Sequence, residues 1–141
     1  MKKIKCILLI DDNPADNEFH EIIIRHADVC EEIKVVYDGV KALEYLKKSG
    51  EDGQSEHYPL PDVIFLDINM PRMNGFEFLD EYKNLELKQK SKVVIMMLTT
   101  SLNPDDEKRA KTYDTIDGFL NKPLTHTMLT SLLEKHFKKE S

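Results

Sequence analysis

Short apolar runs of strand length recur along this chain, and each is followed by a segment with the repeat expected of an amphipathic helix. The runs are apolar nearly throughout, without the alternation of a half-exposed strand, and they cover residues 6–10, 33–37, 63–66, 93–98 and 117–120. Strands of this composition are typical of a parallel sheet that is buried under helices on both faces. The pattern therefore predicts one α/β domain with five mostly parallel strands and five helices.

The segments between the runs carry recognisable helix signals. Asn13 and Pro14 predict the start of the first helix, with the asparagine as the cap and the proline in the first turn. The apolar stripe expected along this helix consists of Phe19, Ile22, Ile23, His26 and Ala27. Residues 102–115 predict a mostly charged helix with a weak apolar repeat, whereas residues 128–137 carry the most regular repeat of the chain.

Length, charge and the chain ends limit the class of protein. The 141 residues suffice for one domain with its own core, and the net charge of −6 argues against non-specific nucleic-acid binding. The first apolar run is too short for the core of a signal peptide or for a bilayer span. Only KKES follows the last helix, so no output domain is expected. We therefore predict a cytoplasmic single domain over residues 1–141, with its core at about 5–137, that binds neither nucleic acid nor membrane.

Polar side chains stand directly after several of the predicted strands. They are Asp11, Asp12, Asp67, Thr99, Thr100 and Lys122. Because binding sites of open parallel sheets form outside the carboxyl ends of the strands, we expect these side chains to converge at one edge of the sheet. Each residue alone has a simpler interpretation, as a turn residue, a helix cap or a surface charge, so the hypothesis depends on the whole set.

The chemistry of this set points to a metal ion and a phosphoryl group. Carboxylates held close together repel each other and raise one another's pKa unless a cation joins them. Asp11, Asp12 and Asp67 offer hard oxygen donors, which favour Mg²⁺. Lys122 can then neutralise a phosphate, and Thr99 can donate a hydrogen bond to it. Asp67 is the candidate nucleophile that accepts the phosphoryl group as an acyl phosphate.

Four segments carry a resemblance to a known family. They are ILLIDDN at residues 7–13, VIFLDINMPRMNG at 63–75, VIMMLTTS at 94–101 and GFLNKPL at 118–124. From Lys5 to Phe137 the chain resembles the receiver domain of two-component response regulators. The resemblance implies a doubly wound, flavodoxin-like receiver fold, with a five-stranded parallel sheet in the strand order 2-1-3-4-5.

The resemblance assigns a role to each residue of the acidic set. Asp67 matches the phosphoacceptor of the family, and Asp11 and Asp12 match its acidic metal-binding pair. Asn69 matches the residue whose backbone carbonyl binds Mg²⁺ together with the three carboxylates.

A second group of matching residues concerns the response to phosphorylation. Thr99 matches the switch hydroxyl of the family, and Phe119 stands where the family keeps its switch aromatic residue. Lys122 matches the lysine that contacts the phosphate, and Pro123 usually follows a cis peptide bond in the family. These assignments imply that the face formed by residues 102–137 changes its partners when the protein is phosphorylated.

The function implied by the resemblance is that of a single-domain response regulator. Such a protein is a signalling phosphoacceptor, not an enzyme acting on other substrates, and it catalyses only its own phosphorylation and dephosphorylation. The implied phosphate donor is a sensor histidine kinase or a histidine phosphotransfer protein. The implied downstream partner is another protein or, in a homodimer formed through residues 102–137, a second copy of the chain.

Two positions depart from the common pattern of the family. The loop at residues 50–61 is longer than in most receivers, and similar loops occur in a subgroup of stand-alone regulators that are paired with phytochrome-type histidine kinases. Thr100 stands where a small residue is common, and its additional bulk would narrow access to the phosphate.

Two other functions stay open on the sequence alone. A Mg²⁺-dependent phosphatase of the haloacid-dehalogenase type also uses an aspartate at a strand end. That family needs a second aspartate two residues later as general acid, and this chain has Asn69 at that position. A receiver-like scaffold that works without phosphorylation is the other alternative, and the complete set of site residues argues against it.

Overall fold

The computed structural model describes residues 3–50, 56–85, 93–100 and 103–137. Strands and helices alternate along these ranges. They are β1 (Ile4–Ile10), α1 (Pro14–Ala27), β2 (Cys30–Val36), α2 (Gly39–Ser49), β3 (Val63–Leu66), α3 (Gly75–Tyr82), β4 (Val94–Thr99), α4 (Pro104–Ala110), β5 (Gly118–Asn121) and α5 (His126–Phe137). Residues 51–55 of the long loop, residue 102 at the start of the predicted partner face and the terminal KKES lie outside the described residues.

The strands form one sheet in the order β2-β1-β3-β4-β5, and all four neighbouring pairs are parallel. The predicted fold class and strand order are therefore confirmed. None of the helices in the described ranges has both the length and the apolar character needed to cross a bilayer.

The core consists of two apolar layers, one on each face of the sheet. In β1, Leu8 and Ile10 pack into the layer that contains Phe76 and Phe78 of α3. Ile7 and Leu9 pack into the opposite layer with α1 and α5. Side chains that alternate between two buried layers explain why the strand sequences are apolar without a break.

Two predicted elements differ from the structure by three residues or more at one boundary. The strand predicted at residues 33–37 is β2 and begins at Cys30, because its first residues pair with β1 although they include two glutamates. The helix predicted at residues 102–115 was too long, since α4 ends at Ala110. There the chain turns. The Tyr113 N–H donates to the Ala110 carbonyl, and the Thr112 hydroxyl donates to the Arg109 carbonyl.

Carboxylates close the amino ends of the strands. The Asp62 side chain accepts hydrogen bonds from the backbone N–H groups of Lys5 and Cys6, and the Asp62 carbonyl accepts one from Val94. Asp117 accepts from the Ile95 N–H through its side chain. These aspartates extend the hydrogen bonding of the sheet beyond its regular pairs, so they hold neighbouring strands together at this end.

Backbone hydrogen bonds also continue past the carboxyl ends of the strands. The Asp11 N–H donates to the carbonyl of Val36, and the Asp67 N–H donates to that of Ile10, at 3.0 Å. The Lys122 N–H donates to the carbonyl of Thr99, at 2.9 Å. The backbone of these polar residues is therefore fixed by the sheet.

Helix α3 begins directly against the backbone of Asp67. Its first residue, Gly75, donates its N–H to the Ile68 carbonyl at 2.8 Å. A Cβ atom at Gly75 would lie 2.6 Å from the Asp67 carbonyl oxygen. Asn74 and Glu77 form a capping box that fixes the first turn. The start of α3 can therefore approach Asp67 this closely only because residue 75 has no side chain.

We predict that Gly75→Ala destabilises the protein by about 1–3 kcal/mol, because the added methyl group forces a backbone shift in a packed region. Urea unfolding measures this change. Gly50→Ala is the control, since Gly50 is exposed and its φ of −84° suits any residue. An equal loss of stability in both variants would contradict the close packing at Gly75.

Candidate functional site

The structure brings three aspartates together at the carboxyl ends of β1 and β3. Each of Asp11, Asp12 and Asp67 has a carboxylate oxygen within 4.8 Å of one from each of the other two. Asp11 and Asp67 are buried, with 5% and 6% of their surface exposed, whereas Asp12 is exposed. The convergence predicted from the positions of the strand ends is therefore present for these carboxylates.

Lys122, which follows β5, lies against this acidic cluster. Its Nζ is 2.5 Å from Asp11 Oδ2, 2.9 Å from Asp16 Oδ2 and 3.6 Å from Asp67 Oδ1. The peptide bond to Pro123 is cis, as the family pattern predicts. Burial of Lys122 opposes its charge, but the hydrogen bonds to Asp11 and Asp16 outweigh burial and raise its pKa. Lys122 is therefore a buried ammonium group at neutral pH.

The surroundings of Asp67 disfavour the ionised form of its carboxyl group. Burial raises the pKa of its carboxyl group to about 6, and the neighbouring charge of Asp11 adds to the effect. The ammonium group of Lys122 and a hydrogen bond from the Asn69 backbone act in the opposite direction without cancelling it. Further positive charge beside Asp67 would therefore stabilise its ionised form.

Asp11 is oriented by groups on the first turn of α1. Its Oδ1 accepts the backbone N–H of Asn13 at 3.0 Å, and its main-chain carbonyl accepts the Asn17 side-chain amide at 2.8 Å. The Asn13 side chain caps α1 through the N–H groups of Ala15 and Asp16, as predicted for this residue. The first turn of α1 therefore holds the Asp11 carboxylate and the helix start as one unit.

The other predicted site residues are distributed around the acidic cluster. Asn69 is exposed in the loop two residues after Asp67. Thr99 is the last residue of β4 and is fully buried. Phe119 in β5 is half-buried, and it lines a groove of about 340 Å³ together with residues of α4 and of the connection to β5. Thr99 and Phe119 thus lie on the two strands that lead from the site to α4.

A contact set joins α3 to the region after α4. The Tyr113 hydroxyl donates to Asp80 Oδ1 at 3.0 Å, and the ring centroids of Tyr113 and Phe76 are 5.5 Å apart. The Arg109 guanidinium lies 4.4 Å from the centroid of Phe76. The position of α4 is therefore tied to the helix that begins at the backbone of Asp67.

Sequence reasoning missed three polar residues on α1. Asn17 and His20 are buried, with 2% and 3% exposure, and Asp16 contacts Lys122. The predicted stripe of α1 was wrong at Phe19 and Ile22, which are 46% and 47% exposed, whereas its members Ile23 and Ala27 do pack against the core. The spacing of residues 17, 20 and 24 follows the helical repeat and was the available signal, but polar residues there were not read as inward-facing.

The donor set fits a divalent cation such as Mg²⁺. All three clustered groups are carboxylates, and hard oxygen ligands suit this ion. Burial and the charge of Asp11 keep the pKa of Asp67 raised despite the ammonium group of Lys122, so a further cation would favour the ionised carboxylate. Asp11, Asp12 and Asp67 are the residues that would hold the ion, and the open side at Asp12 leaves room for further oxygen ligands.

Comparison with known proteins gives a consistent family. A family model described as the response regulator receiver domain matches residues 7–134. The response regulator Rcp1 of Synechocystis sp. is 36% identical over 103 residues, which make up 72% of this chain and 66% of Rcp1. The match thus spans slightly less than two thirds of the length of this relative.

Solved structures show the same similarity. A two-component response regulator from Cytophaga hutchinsonii has a TM-score of 0.86 and 35% identity, covering 98% of this chain and all of the other. The phosphorylated cyanobacterial phytochrome response regulator RcpA has a TM-score of 0.74 and 26% identity, covering 98% and 97% of the two chains. The Mn²⁺-bound form of Rcp1 has a TM-score of 0.70 and 26% identity, covering 97% and 96%.

We predict that Asp67→Asn stabilises the metal-free protein at pH 7 by on the order of 2 kcal/mol, because it removes a buried negative charge. The folded-state pKa of Asp67 is raised, so the stability that it contributes is fully present below pH 3.8 and is lost as the pH rises through about 6. Asn at this position should remove that part of the pH dependence.

Urea unfolding between pH 4 and 8 with a chelator present would measure both effects. Glu134→Gln, which neutralises an exposed acid on α5, is the control for the change in net charge. Equal stability of wild type and Asp67→Asn at pH 7 would contradict the electrostatic strain at Asp67.

Proposed function

Since the chain belongs to the response regulator receiver domain family, we propose that it is a single-domain response regulator that accepts a phosphoryl group on Asp67. The observation that carries the proposal is the meeting of Asp11, Asp12, Asp67 and Lys122 at one edge of the sheet. A buried carboxylate between a cation-binding pair and an ammonium group is arranged to receive a phosphoryl group.

The transfer step needs few groups of the protein. A carboxylate oxygen of Asp67 forms a bond to phosphorus while the bond from phosphorus to the imidazole nitrogen of the donor breaks, and the electron pair stays on that nitrogen. Asp11, Asp12, Asp67 and the backbone carbonyl of Asn69 would hold Mg²⁺, which neutralises the charge of the phosphoryl oxygens when bound. Lys122 adds a fixed positive charge on the other side, within 3.6 Å of Asp67 Oδ1.

The response to phosphorylation begins at the end of β4. The Thr99 hydroxyl donates a hydrogen bond to the acyl phosphate, which draws the connection between β4 and α4 toward the site. Phe119 then turns into the space that is vacated, and the groove of about 340 Å³ beside it changes shape. The partner-binding face, predicted at residues 102–137 and described from residue 103 onward, thereby has two forms.

The partners follow from the chemistry of an aspartyl phosphate. The donor is a sensor histidine kinase or a histidine phosphotransfer protein in the cytoplasm. RcpA, a structural neighbour, is a phytochrome response regulator, so a phytochrome-type histidine kinase is the first donor to test. The downstream partner is a protein that distinguishes the two forms of the partner-binding face, or a second copy of this chain.

The protein catalyses only its own phosphorylation and dephosphorylation. A phosphatase of the haloacid-dehalogenase type would need a general acid two residues after Asp67. Asn69 occupies that position and is exposed, and its side-chain amide is far too weak an acid to serve as general acid. Sustained turnover of small phosphoesters would replace the proposed function with this alternative.

We expect one phosphoryl adduct per molecule when the protein is incubated with acetyl phosphate and Mg²⁺. Intact mass spectrometry would measure it. Asp67→Asn should give no adduct, because an amide cannot act as the nucleophile, and a chelator should abolish the adduct of the wild type.

An adduct that survives either change would refute the proposed chemistry. If the wild type gives no adduct, a titration with beryllofluoride and Mg²⁺ followed by NMR would reveal a phosphorylated form that is too short-lived to collect. A wild type with neither an adduct nor a beryllofluoride response would point to the phosphorylation-independent scaffold.

Thr99→Ala should still accept the phosphoryl group. It should lose the conformational change of the partner-binding face, because the hydroxyl that donates a hydrogen bond to the phosphate is gone. Thr99→Ser keeps this hydroxyl and serves as the matched control. NMR shifts of β5 and α5 on adding beryllofluoride would measure the response. A full response in Thr99→Ala would remove Thr99 from the mechanism.

A further inference from the structure

Lys122 has a carboxylate partner outside the acidic cluster. Its Nζ lies 2.9 Å from Oδ2 of Asp16, on the first turn of α1, as well as 2.5 Å from Oδ2 of Asp11. In the described part of the chain the possible metal ligands group as Asp11, Asp12 and Asp67, and Asp16 is not a member. One of the two strong contacts of Lys122 is therefore independent of the residues that would hold the ion.

The contact with Asp11 conflicts with metal binding. Asp11 Oδ1 accepts the Asn13 N–H, and Asp11 Oδ2 accepts from Lys122, so both oxygens already have a donor. Each oxygen keeps a further lone pair, but a divalent cation bound there would stand close to the Lys122 ammonium group and repel it. The Asn13 amide is fixed at the capped start of α1, whereas Lys122 has a long flexible side chain. Lys122 is therefore the partner that must yield.

A displaced Lys122 would still be a buried charge. Only 8% of its side chain is exposed, and an ammonium group that loses its partners in such a place is strongly disfavoured. Asp16 is suited to keep it, because 37% of its side chain is exposed and its own carboxylate therefore stays partly hydrated. The Asp16 N–H also donates to the Asn13 side chain, so its position is fixed by the cap of α1.

We propose that Asp16 is a positioning residue for Lys122, which it holds at the site when Asp11 is taken over by the divalent cation. The inference rests on the proposed function, since it concerns the site that receives the phosphoryl group. An ammonium group has three N–H donors. One remains on Asp16, and the donor released by Asp11 becomes available to the phosphoryl oxygens on Asp67.

Asp16 contacts Lys122 both before and after the metal ion binds. In the metal-free protein Lys122 donates hydrogen bonds to Asp11 and Asp16 at the same time. When the ion binds, the contact with Asp11 weakens and the contact with Asp16 remains. The ammonium group thus stays within reach of Asp67, from which it is already only 3.6 Å away.

The test follows the Lys122 ammonium group by NMR of protein labelled with ¹⁵N-lysine, with the signal assigned through Lys122→Arg. In the wild type the signal should be present without metal and should persist at saturating Mg²⁺. In Asp16→Asn it should be present without metal, because Asp11 still holds Lys122, and should vanish when Mg²⁺ is added.

Affinity for Mg²⁺ provides a second readout in the same samples. Asp16→Asn should bind Mg²⁺ about tenfold more weakly than the wild type, the size expected when a group that supports a ligand shell is lost. Asp16→Glu should recover most of this affinity. Glu18→Gln, which removes an exposed acid from the same helix, is the control for net charge and should change the affinity by less than about twofold.

The possible results separate the inference from the proposed function. Loss of the wild-type ammonium signal with Mg²⁺, or equal behaviour of Asp16→Asn and Glu18→Gln, would overturn the role of Asp16. The expected metal and ammonium results without any phosphoryl adduct or beryllofluoride response would support Asp16 and overturn the proposed function. A wild type that binds no Mg²⁺ would overturn both.

Discussion

The rest of this structure depends on two aspartates, Asp11 and Asp67, that are buried side by side. Their charges repel in a region with little water, and the raised pKa of Asp67 expresses the unfavourable free energy. Lys122 offsets part of it through contacts with Asp11 and Asp16, but the sheet must still hold the carboxylates in place. The fold therefore maintains an arrangement whose unfavourable charge a bound divalent cation would relieve.

The rigid parts of the fold lie directly behind this arrangement. Two apolar layers clamp the sheet, and backbone hydrogen bonds extend past the strands to Asp11, Asp67 and Lys122. The start of α3 at Gly75 approaches the Asp67 carbonyl closely, so the position of the helix is tied to the backbone of Asp67. Thr99 and Phe119 lie on strands that lead away toward α4. The sheet and the two apolar layers therefore hold the backbone of Asp11, Asp67 and Lys122 in place.

The sequence was most informative where local pattern and burial agree. The third strand was predicted at residues 63–66, where the structure has it, and the strand order followed from the family pattern. The approach of the three carboxylates was predictable because parallel strands end at one edge. The contact of Asp16 with Lys122 was not, since these residues are 106 positions apart and no local repeat joins them. Asn17 and His20 were missed because a polar side chain on the inner face breaks the apolar pattern that marks such a face.

The aspartates at the amino ends of the strands have a different role from those at the carboxyl ends. The carboxylates of Asp62 and Asp117 accept hydrogen bonds from backbone N–H groups and hold the strands together at their amino ends. Aspartate side chains thus stabilise the sheet at the amino ends of the strands and form the acidic cluster at the carboxyl ends. Because the two ends are separated by the full length of the strands, changes that strengthen or weaken the scaffold can accumulate at one end while the chemistry at the other is preserved. Evolution or protein engineering can therefore change the stability of this protein and its signalling function independently.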